Sequence, residues 1–448
     1  MSRLFGTDGV RGVANDDLTP ELAFKLGRAG AAVLAQRSSD ERPLVVGRDT
    51  RLSGTMLEAA IVAGITSVGR DALVVGIVPT PGVALITTLI EAAAGVMISA
   101  SHNPIEDNGI KFFGPDGYKL ADEEEDAIEA LLDSTNLPHP THGGVGIVRS
   151  ARGLVDRYFS KLVEAGADLS GITVVVDGAF GAAFEVGPHL FRRLGATVVA
   201  LNCEPDGSRI NVGCGATDLR MLVEEVRSRA EGGRAVVGVA FDGDADRALF
   251  VDEHGDVLTG DHVMLALARD RKARRAEASG AVVGTVMSNV GLERALAADG
   301  IALLRAPVGD RYVLQMMREH GLLFGGEQSG HIIDLERNTT GDGPMTAVSL
   351  FSIAARDGGR LRPLANSLVV HPQLLVNVRT RDRRVHETNG EVRAAIADGV
   401  RALGGDGRIL VRPSGTEPLV RVMVEGPDQA LVTRIAERIA DTIRSAAS

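Results

Sequence analysis

The sequence predicts an α/β protein of several domains, with mixed and mostly parallel sheets. Short β-branched runs alternate with longer helical patterns, as in the strand, helical stretch and strand between Ile172 and Leu201. At 448 residues the chain exceeds the size at which one core keeps growing, so about three or four domains are expected. In four places an apolar strand runs directly into a polar, glycine-containing loop. Since ligands gather beyond the carboxyl ends of strands in open α/β sheets, these loops are the candidate functional segments.

Three changes in local composition divide the chain. The first is the stretch Pro138–Gly144, rich in proline and histidine, the second lies near Asp256, and the third follows Asn366. The segment after the third change is the shortest and ends in a helical run. We therefore predict three α/β domains and a smaller C-terminal α+β domain, over residues 1–150, 151–255, 256–366 and 367–448.

Individual strands are predicted from short apolar runs rich in β-branched residues. In chain order the clearest are Pro43–Val46, Gly95–Ile98, Ile172–Val176, Thr197–Leu201, Ala281–Thr285 and Leu419–Val424. The acidic segment Asp122–Asp126 predicts the start of a helix, because carboxylates suit the positive end of the helix dipole. The uncharged stretch Ala72–Ile90 is long enough for a membrane span, but Pro79 and Pro81 divide it into a strand and a helix.

Composition excludes several classes of protein. The net charge of −11 argues against a nucleic-acid partner, and 44% apolar residues is enough for buried cores. The cysteines, Cys203 and Cys214, lack the spacing of a metal site or a redox motif, which favours a reducing compartment. Charges at Arg3, Asp8 and Arg11 exclude a secretory signal peptide. We expect a soluble cytoplasmic protein with no nucleic-acid or membrane partner.

The most informative motif is the aspartate triplet Asp242, Asp244 and Asp246, which directly follows the apolar run Ala235–Phe241. Three carboxylates on one short turn repel each other unless a cation neutralises them, and such oxygen ligands suit Mg²⁺. A solvated acidic turn is the simplest alternative. A calcium loop needs glycine at the sixth position, where Arg247 stands. We therefore predict a Mg²⁺ site at the end of a buried strand.

The first polar loop, Ser99–Pro104, follows the predicted strand Gly95–Ile98. Ser101 lies in a turn that would expose its hydroxyl, and His102 would help to fix the backbone around it, so both are candidate catalytic residues. An ordinary turn with polar capping residues explains the same pattern. The next strand-like stretch places Lys111 close by, although a lysine among apolar neighbours often extends its amine to solvent instead.

The loop Gly325–His331 is expected to follow a strand over Leu322–Phe324. Glu327 and Ser329 alternate with small residues, so both side chains can point to one ligand while the backbone approaches closely. A carboxylate beside a hydroxyl suits the vicinal hydroxyls of a sugar. A hairpin turn with an incidental glutamate is the alternative, and His331 could be a satisfied interior histidine.

Two arginine-bearing segments have the composition of phosphate sites. The loop Arg412–Pro418 combines a guanidinium, hydroxyls and a glycine, and the next strand places Arg421 opposite its valines, which predicts an anion nest between strands. A glycine turn with surface arginines is the alternative. In the N-terminal run Phe5–Gly12, Arg11 stands between glycines. No Walker-type phosphate loop is present in the sequence, so a nucleotide is not the expected ligand.

Five motifs, in this order, resemble those of the α-D-phosphohexomutase superfamily: Phe5–Gly12, Ser99–Pro104, Asp242–Arg247, Gly326–His331 and Arg412–Pro418. They span nearly the whole chain. The wording of the first, third and last motifs is closer to the branch that acts on glucosamine phosphates than to the phosphomannomutase/phosphoglucomutase branch. The resemblance implies four domains in a heart-shaped arrangement around a central cleft.

The resemblance also implies how phosphate and metal are handled. Ser101 would carry a phosphoryl group and, together with the three aspartates, would bind one Mg²⁺. Arg11, Lys111 and Arg247 would surround the transferring phosphoryl group. The phosphate that is not transferred would be bound by Arg412, Ser414, Gly415, Thr416 and Arg421.

Further roles follow from the same resemblance. Glu327 and Ser329 would bind sugar hydroxyls, and Lys111 and His331 would be the acid/base candidates. The ligand would be a small phosphosugar, and a glucosamine 1,6-bisphosphate or a similar hexose bisphosphate would act as primer for the serine. The chain could form a homodimer.

The implied activity is the interconversion of glucosamine 6-phosphate and glucosamine 1-phosphate, for UDP-N-acetylglucosamine and cell-wall synthesis. The phosphoserine would donate its phosphoryl group to the sugar, and the resulting 1,6-bisphosphate would turn over and return its other phosphate to Ser101. Phosphoglucomutase or phosphomannomutase activity, a phosphosugar-binding regulator that has lost its chemistry, and a metal-dependent phosphatase are the alternatives.

Overall fold

The computed structural model describes residues 3–6, 8–35, 42–231, 235–274, 280–414 and 418–447. Internal packing divides the chain into two compact units. The first comprises Met1–Val286 with Leu304–Ala365, and the second comprises Met287–Leu303 with Asn366–Ser448. Among the described helices, none is long and apolar enough to cross a membrane.

The N-terminal sheet of the first unit places the loop that carries Ser101 beside a second loop. Its strands are β1 Val10–Val13, β2 Leu44–Arg48, β3 Ala72–Ile77, β4 Ala94–Ile98, β5 Asp107–Phe113 and β6 Val148–Ser150, and its helices are α1 Pro20–Ala35, α2 Gly54–Ser67, α3 Thr80–Leu89 and α4 Asp122–Leu131. The spatial order is β1-β5-β4-β2-β3-β6, with β2 parallel to β4. β4 is a short apolar run and is buried along its whole length, as expected of a central strand. The loops that follow β2 and β4 therefore leave the sheet at the same edge.

The second sheet leads into the aspartate triplet. Its strands are β7 Thr173–Asp177, β8 Thr197–Leu201, β9 Val236–Phe241, β10 Ala248–Val251 and β11 Val257–Leu258, and its helices are α5 Val155–Ala165, α6 Val186–Arg193 and α7 Arg220–Ala230. The order is β11-β10-β9-β7-β8. Every residue of β9 is buried, and β9 is parallel to β7 but antiparallel to β10. The turn from β9 to β10 is Asp242–Arg247, so the aspartates stand at the end of a buried strand.

The third sheet contains the hairpin that carries Glu327. Its strands are β12 Ala281–Thr285, β13 Ala302–Ala306, β14 Phe324–Gly326 and β15 Ile332–Asp334, in the order β13-β12-β14-β15. The helices of this part of the chain are α8 Gly260–Arg274, α9 Val290–Ala298, α10 Asp310–Glu319, α11 Gly343–Ala355 and α12 Arg362–Ala365. α9 belongs to the second unit.

The strand predicted over Leu322–Phe324 is wrong by two residues at each end. The observed strand, β14, begins at Phe324 and includes Gly325 and Gly326, which were predicted to lie in the loop. A Cβ atom on Gly325 would lie 2.7 Å from the carbonyl oxygen of Val283 on the neighbouring strand. Glycine is needed there for close backbone approach rather than for a loop. The loop itself therefore shrinks to the residues between β14 and β15.

The C-terminal part of the second unit is an α+β module. Its strands are β16 Gln373–Arg379, β17 Arg408–Pro413 and β18 Leu419–Glu425, and its helices are α13 Val385–Thr388, α14 Gly390–Leu403 and α15 Gln429–Ala447. β18 lies between the other two strands and is antiparallel to both. Along α15, Val432, Ile435, Ile439 and Ile443 recur at helical spacing and are buried in the core of the module.

Candidate active site

Ser101 lies just beyond β4 in a left-handed backbone conformation, with a φ of +53°. Its amide donates to Ser99 Oγ at 2.9 Å, and its hydroxyl donates to Asp242 Oδ2 at 2.6 Å. The left-handed region costs a non-glycine residue roughly 1–2 kcal/mol, so it persists only where the surroundings hold it. The turn thus aims the Ser101 hydroxyl at the aspartate triplet.

The three aspartates form one buried cluster. Each offers one carboxylate oxygen, and these oxygens lie within 4.8 Å of one another. Asp244 Oδ1 and Asp246 Oδ1 are buried and accept no hydrogen bond from the described residues. Unpaired buried carboxylate oxygens are unfavourable, and a hard divalent cation would satisfy them. The residues present therefore fit Mg²⁺.

The aspartate cluster carries more negative charge than its neighbours neutralise. Burial raises the pKa of Asp242 well above its usual range, and Asp246 and Asp244 add to the shift. Burial, followed by Asp244, also raises the pKa of Asp246. Burial would raise the pKa of Asp244 too, but Lys111 at 2.9 Å and Thr80 at 2.6 Å hold it below its usual range. Full ionisation of all three carboxylates needs added positive charge.

Gly243 allows the aspartate loop, Asp242–Arg247, to approach the serine loop, Ser99–Pro104, closely. A Cβ atom at this position would lie 2.5 Å from the carbonyl oxygen of Ser101. The same carbonyl accepts a hydrogen bond from Asn211 Nδ2 at 2.9 Å. The serine hydroxyl and the aspartates therefore belong to one site.

Two of the predicted arginines lie at this site. Arg11 on β1 forms an ion pair with Asp8. The Arg247 amide donates to Asp242 Oδ1 at 3.2 Å, and its guanidinium lies 3.9 Å from Asp246 Oδ1. The Arg247 guanidinium is close enough to the carboxylate cluster to stabilise an anionic group bound there, and Arg11 is connected to the cluster through Asp8 and Lys111.

His102 follows the serine directly, and its Nδ1 lies 3.3 Å from Ser101 Oγ. The residue as a whole is exposed. Partial desolvation of the ring, and then the charges of Arg247 and Arg11, lower the pKa of His102 to about 4. The ring is therefore neutral near pH 7, and its Nδ1 can donate to or accept from the Ser101 hydroxyl, depending on the tautomer.

Lys111 belongs to a partly buried chain of alternating charges that the sequence did not predict. Lys111 Nζ lies 3.0 Å from Asp8, and Lys119 Nζ lies 2.5 Å from both Asp8 and Asp310. Asp310 Oδ2 lies 3.6 Å from His331 Nε2. Burial lowers the pKa of Lys111, but the neighbouring carboxylates raise it to about 12. The two acid/base candidates are thus linked through fixed charges.

Asp8 and Lys119 were not predicted as site residues, and Asp310 was not predicted as their partner, for a physical reason. Asp8 and Lys119 are 111 residues apart, and Lys119 and Asp310 are 191 residues apart. A single charged residue does not show in sequence which distant charge will face it. The available signal is weak: Asp310 follows a glycine and begins α10.

The sugar-binding candidates lie on a hairpin turn between β14 and β15, so the alternative of a hairpin describes the local structure correctly. Glu327 is buried, and its Oε1 accepts from the Gly309 amide at 2.9 Å. Ser329 is exposed in the turn. His331 is buried against Gly341, where any Cβ atom would clash with the imidazole ring.

A backbone bridge between Arg247 and His331 sets the hairpin beside the aspartate loop. His331 Nε2 lies 3.7 Å from Asp246 Oδ2. Neither ring nitrogen hydrogen-bonds to the described part of the chain. The imidazole can therefore take or give a proton at a group bound next to the carboxylates.

In the second unit, β17 and β18 set Arg412 directly opposite Arg421. Ser414 is buried, and its hydroxyl accepts from Arg421 Nη2 at 3.5 Å. Burial and the Arg421 charge lower the pKa of Arg412. Gly415 and Thr416 lie outside the described residues. Like charges that face each other across strands repel, and an anion such as phosphate would relieve the repulsion.

Four family models match successive parts of the chain. Their descriptions are "Phosphoglucomutase/phosphomannomutase, alpha/beta/alpha domain I" over residues 2–138, "domain II" over 156–255, "domain III" over 259–371 and "C-terminal domain" over 375–442. Together they cover most of the sequence.

Individual proteins of this family are also similar to the chain over nearly its full length. The phosphoglucosamine mutase of Symbiobacterium thermophilum is 51% identical, with 99% of each chain covered. That of Desulforudis audaxviator is 53% identical over 98% of this chain and 97% of its own. A solved phosphoglucomutase/phosphomannomutase family protein from Burkholderia thailandensis has a TM-score of 0.82 at 24% identity, with 100% of this chain and 99% of that chain covered. At 24% identity, the similarity to the Burkholderia thailandensis protein shows the fold alone.

Proposed function

The chain belongs to the phosphoglucomutase/phosphomannomutase family, and we propose that it is an isomerase that interconverts glucosamine 6-phosphate and glucosamine 1-phosphate. Its relatives that match over nearly their full length are named phosphoglucosamine mutases. The proposal depends most on the 2.6 Å hydrogen bond from Ser101 Oγ to Asp242 within the aspartate cluster. That contact supports the proposal because it brings a hydroxyl next to carboxylates that can bind a divalent cation, and phosphoryl transfer needs both.

The proposed reaction moves one phosphoryl group from Ser101 to the sugar and another back. In the first transfer, oxygen 1 of glucosamine 6-phosphate bonds to phosphorus and gives its proton to a base. The bond from phosphorus to Ser101 Oγ breaks, and this oxygen takes up a proton. The resulting 1,6-bisphosphate rotates in the site so that its 6-phosphate faces Ser101. Ser101 Oγ then gives its proton to a base and bonds to the phosphorus on oxygen 6, while the bond from that phosphorus to oxygen 6 breaks and oxygen 6 takes up a proton.

The residues of the first unit supply charge and proton transfer. Lys111, held as an ammonium, and the guanidiniums of Arg11 and Arg247 neutralise the phosphoryl oxygens as charge shifts between donor and acceptor. His331 is buried, its ring nitrogens form no hydrogen bond with the described residues, and it is the proton-transfer candidate. Bound Mg²⁺, held by the three aspartates and the serine phosphate, would polarise the phosphoryl group.

Substrate recognition is assigned to two loops. We assign the sugar hydroxyls to Glu327, whose carboxylate is buried and oriented by the Gly309 amide, and to the exposed Ser329. The phosphate that is not transferred is assigned to the opposed Arg412 and Arg421 with Ser414, and to Gly415 and Thr416. The facing guanidiniums support this assignment, because their repulsion falls when an anion binds.

The same proposal includes how Ser101 is first phosphorylated and in which cell compartment the protein acts. A hexose bisphosphate would load Ser101 with its first phosphoryl group. A reducing cytoplasm suits Cys203 and Cys214, which are free thiols whose pKa values burial raises to about 12.

Substrate preference tests the proposed function. We expect kcat/KM for glucosamine 6-phosphate to exceed that for glucose 6-phosphate or mannose 6-phosphate by about tenfold or more, because a site that pairs the amino group leaves polar groups unsatisfied with the analogues. The measurement is a coupled assay with each sugar phosphate, in the presence of Mg²⁺ and a bisphosphate primer. Equal or faster turnover of glucose or mannose phosphates would assign the chain to the other branch of the family.

A further inference from the structure

Arg51 lies in the loop after β2, and its side chain is completely buried beneath the serine loop. Burying a guanidinium is strongly unfavourable unless every donor finds a partner. Here the partners come chiefly from one segment, the turn that carries Ser101. The residue has no part in the reaction proposed above, so its burial needs a separate explanation.

All five N–H donors of Arg51 are used. Nε donates to Asp49 Oδ2 at 3.1 Å. The other donors reach four backbone carbonyl oxygens between Ser101 and the start of β5. Nη2 donates to those of Ser101 at 2.9 Å and Asn103 at 2.8 Å, and Nη1 donates to those of Asp107 at 2.9 Å and Pro104. One rigid, planar fork thus ties together both ends of the turn.

A second set of contacts holds the same turn from the amide side. Asp49 Oδ1 accepts from the Arg51 amide at 2.9 Å, and its Oδ2 accepts from Ser99 Oγ at 2.6 Å. Ser99 Oγ in turn accepts from the Ser101 amide at 2.9 Å. The carbonyl and the amide of Ser101 are therefore both fixed, and both contacts lead back to the loop after β2.

These contacts explain how Ser101 keeps a φ of +53°, a conformation that a serine rarely adopts unaided. If the turn relaxed, the Ser101 hydroxyl would move relative to the aspartate cluster, while the proposed substrate-binding residues such as Glu327 would stay in place. A misplacement of about 1 Å can lower the rate of a positioned reaction about 100-fold. The contacts of Arg51 therefore support the backbone of the nucleophile and involve none of the residues that are proposed to bind substrate.

We propose that Arg51, with Asp49 and Ser99, positions the Ser101 hydroxyl for phosphoryl transfer. This inference rests on the proposed function of Ser101 as the residue that carries the phosphoryl group. A lysine at position 51 retains the charge but has three donors on a single nitrogen, so it cannot reach four carbonyl oxygens and a carboxylate at once.

The test compares Arg51→Lys and Ser99→Ala with the wild-type enzyme. For Arg51→Lys we expect kcat to fall about 100-fold with KM for glucosamine 6-phosphate changed less than about threefold, and for Ser99→Ala a fall in kcat of about tenfold. The rate at which a hexose bisphosphate phosphorylates Ser101, followed by intact-protein mass spectrometry, should fall by the same factors. A general loss of folded protein would instead lower the fraction of chains that react and leave the rate of the reacting chains unchanged.

Arg271→Lys is the matched control, because Arg271 is also nearly buried but pairs with Asp334 at 2.8 Å and Glu336 at 3.0 Å. We expect its phosphorylation rate to stay within about twofold of wild type. If Arg51→Lys does not fold, Ser99→Ala alone decides the question. Normal phosphorylation rates in the folded variants would overturn the inference and leave the proposed function intact. A wild-type enzyme that never carries phosphate on Ser101 would overturn both.

Discussion

Replacing Ser101 with alanine is expected to lower mutase turnover by a factor of about 10³ or more, since the change removes the hydroxyl that is proposed to accept and donate the phosphoryl group. Ser101 Oγ is the hydroxyl that the structure places 2.6 Å from Asp242. Binding of glucosamine 6-phosphate should change little, because the alanine variant keeps the residues that we propose to bind substrate, among them Glu327 and Arg412. The measurements are a coupled assay for turnover and calorimetry for binding.

Ser150→Ala is a matched control for that variant. Ser150 is exposed at the end of β6 in the same sheet, and its loss should leave turnover within about twofold of wild type. Substantial turnover by the Ser101 variant would remove the covalent serine step from the proposed reaction. Loss of substrate binding along with turnover would instead point to a collapsed site.

Replacing Asp242 with asparagine should produce the second large effect. The change removes one negative charge from a buried cluster of three carboxylates, while an amide oxygen can still accept from the Ser101 hydroxyl. We expect Mg²⁺ affinity to fall about 100-fold and kcat at saturating Mg²⁺ to fall about 100-fold or more. Calorimetric titration with Mg²⁺ measures the first effect without reference to activity.

The control for the aspartate is Asp168→Asn. Asp168 is exposed and accepts from the Ser170 amide at 3.0 Å, so its loss should leave Mg²⁺ affinity and turnover near the wild-type values. If Asp242→Asn bound Mg²⁺ as tightly as wild type, the triplet would be a structural feature and the cation would have to bind elsewhere.

Buried strands and the loops at their ends could be predicted from the sequence alone. Continuous apolar runs mark central strands, so Gly95–Ile98 was expected and Ala94–Ile98 is found. In the same way the apolar run Ala235–Phe241 becomes β9, Val236–Phe241, directly before the aspartates. The crowding of carboxylates then gave the metal hypothesis, because charge repulsion is visible in sequence without knowledge of the fold.

Other features depend on contacts that sequence does not reveal. The sequence predicts a helical stretch between the strands β7 and β8, but only Val186–Arg193 forms a helix there, α6. The residues before it form a turn in which Ala179 and Phe180 have positive φ, with the Phe180 carbonyl accepting from Thr50 Oγ1. A local pattern cannot show that a distant loop will hold such a turn.

The same limit explains why Arg51 and Lys119 were not predicted as site residues. Each is an ordinary basic residue in its local sequence, and each becomes informative only when it is buried with particular partners. Four of the Arg51 partners are backbone carbonyls, which every residue possesses. Only the folded chain shows that these carbonyls converge on one guanidinium.

The most direct test of the central claim follows a labelled phosphoryl group. Enzyme carrying radioactive phosphate on Ser101 is mixed with unlabelled glucosamine 6-phosphate and Mg²⁺, and the label is tracked in protein, sugar and inorganic phosphate within one turnover. We predict that it leaves the protein and appears in glucosamine phosphates. Label that stays on Ser101 during turnover, or that is released as inorganic phosphate without labelled sugar, would contradict transfer through this serine.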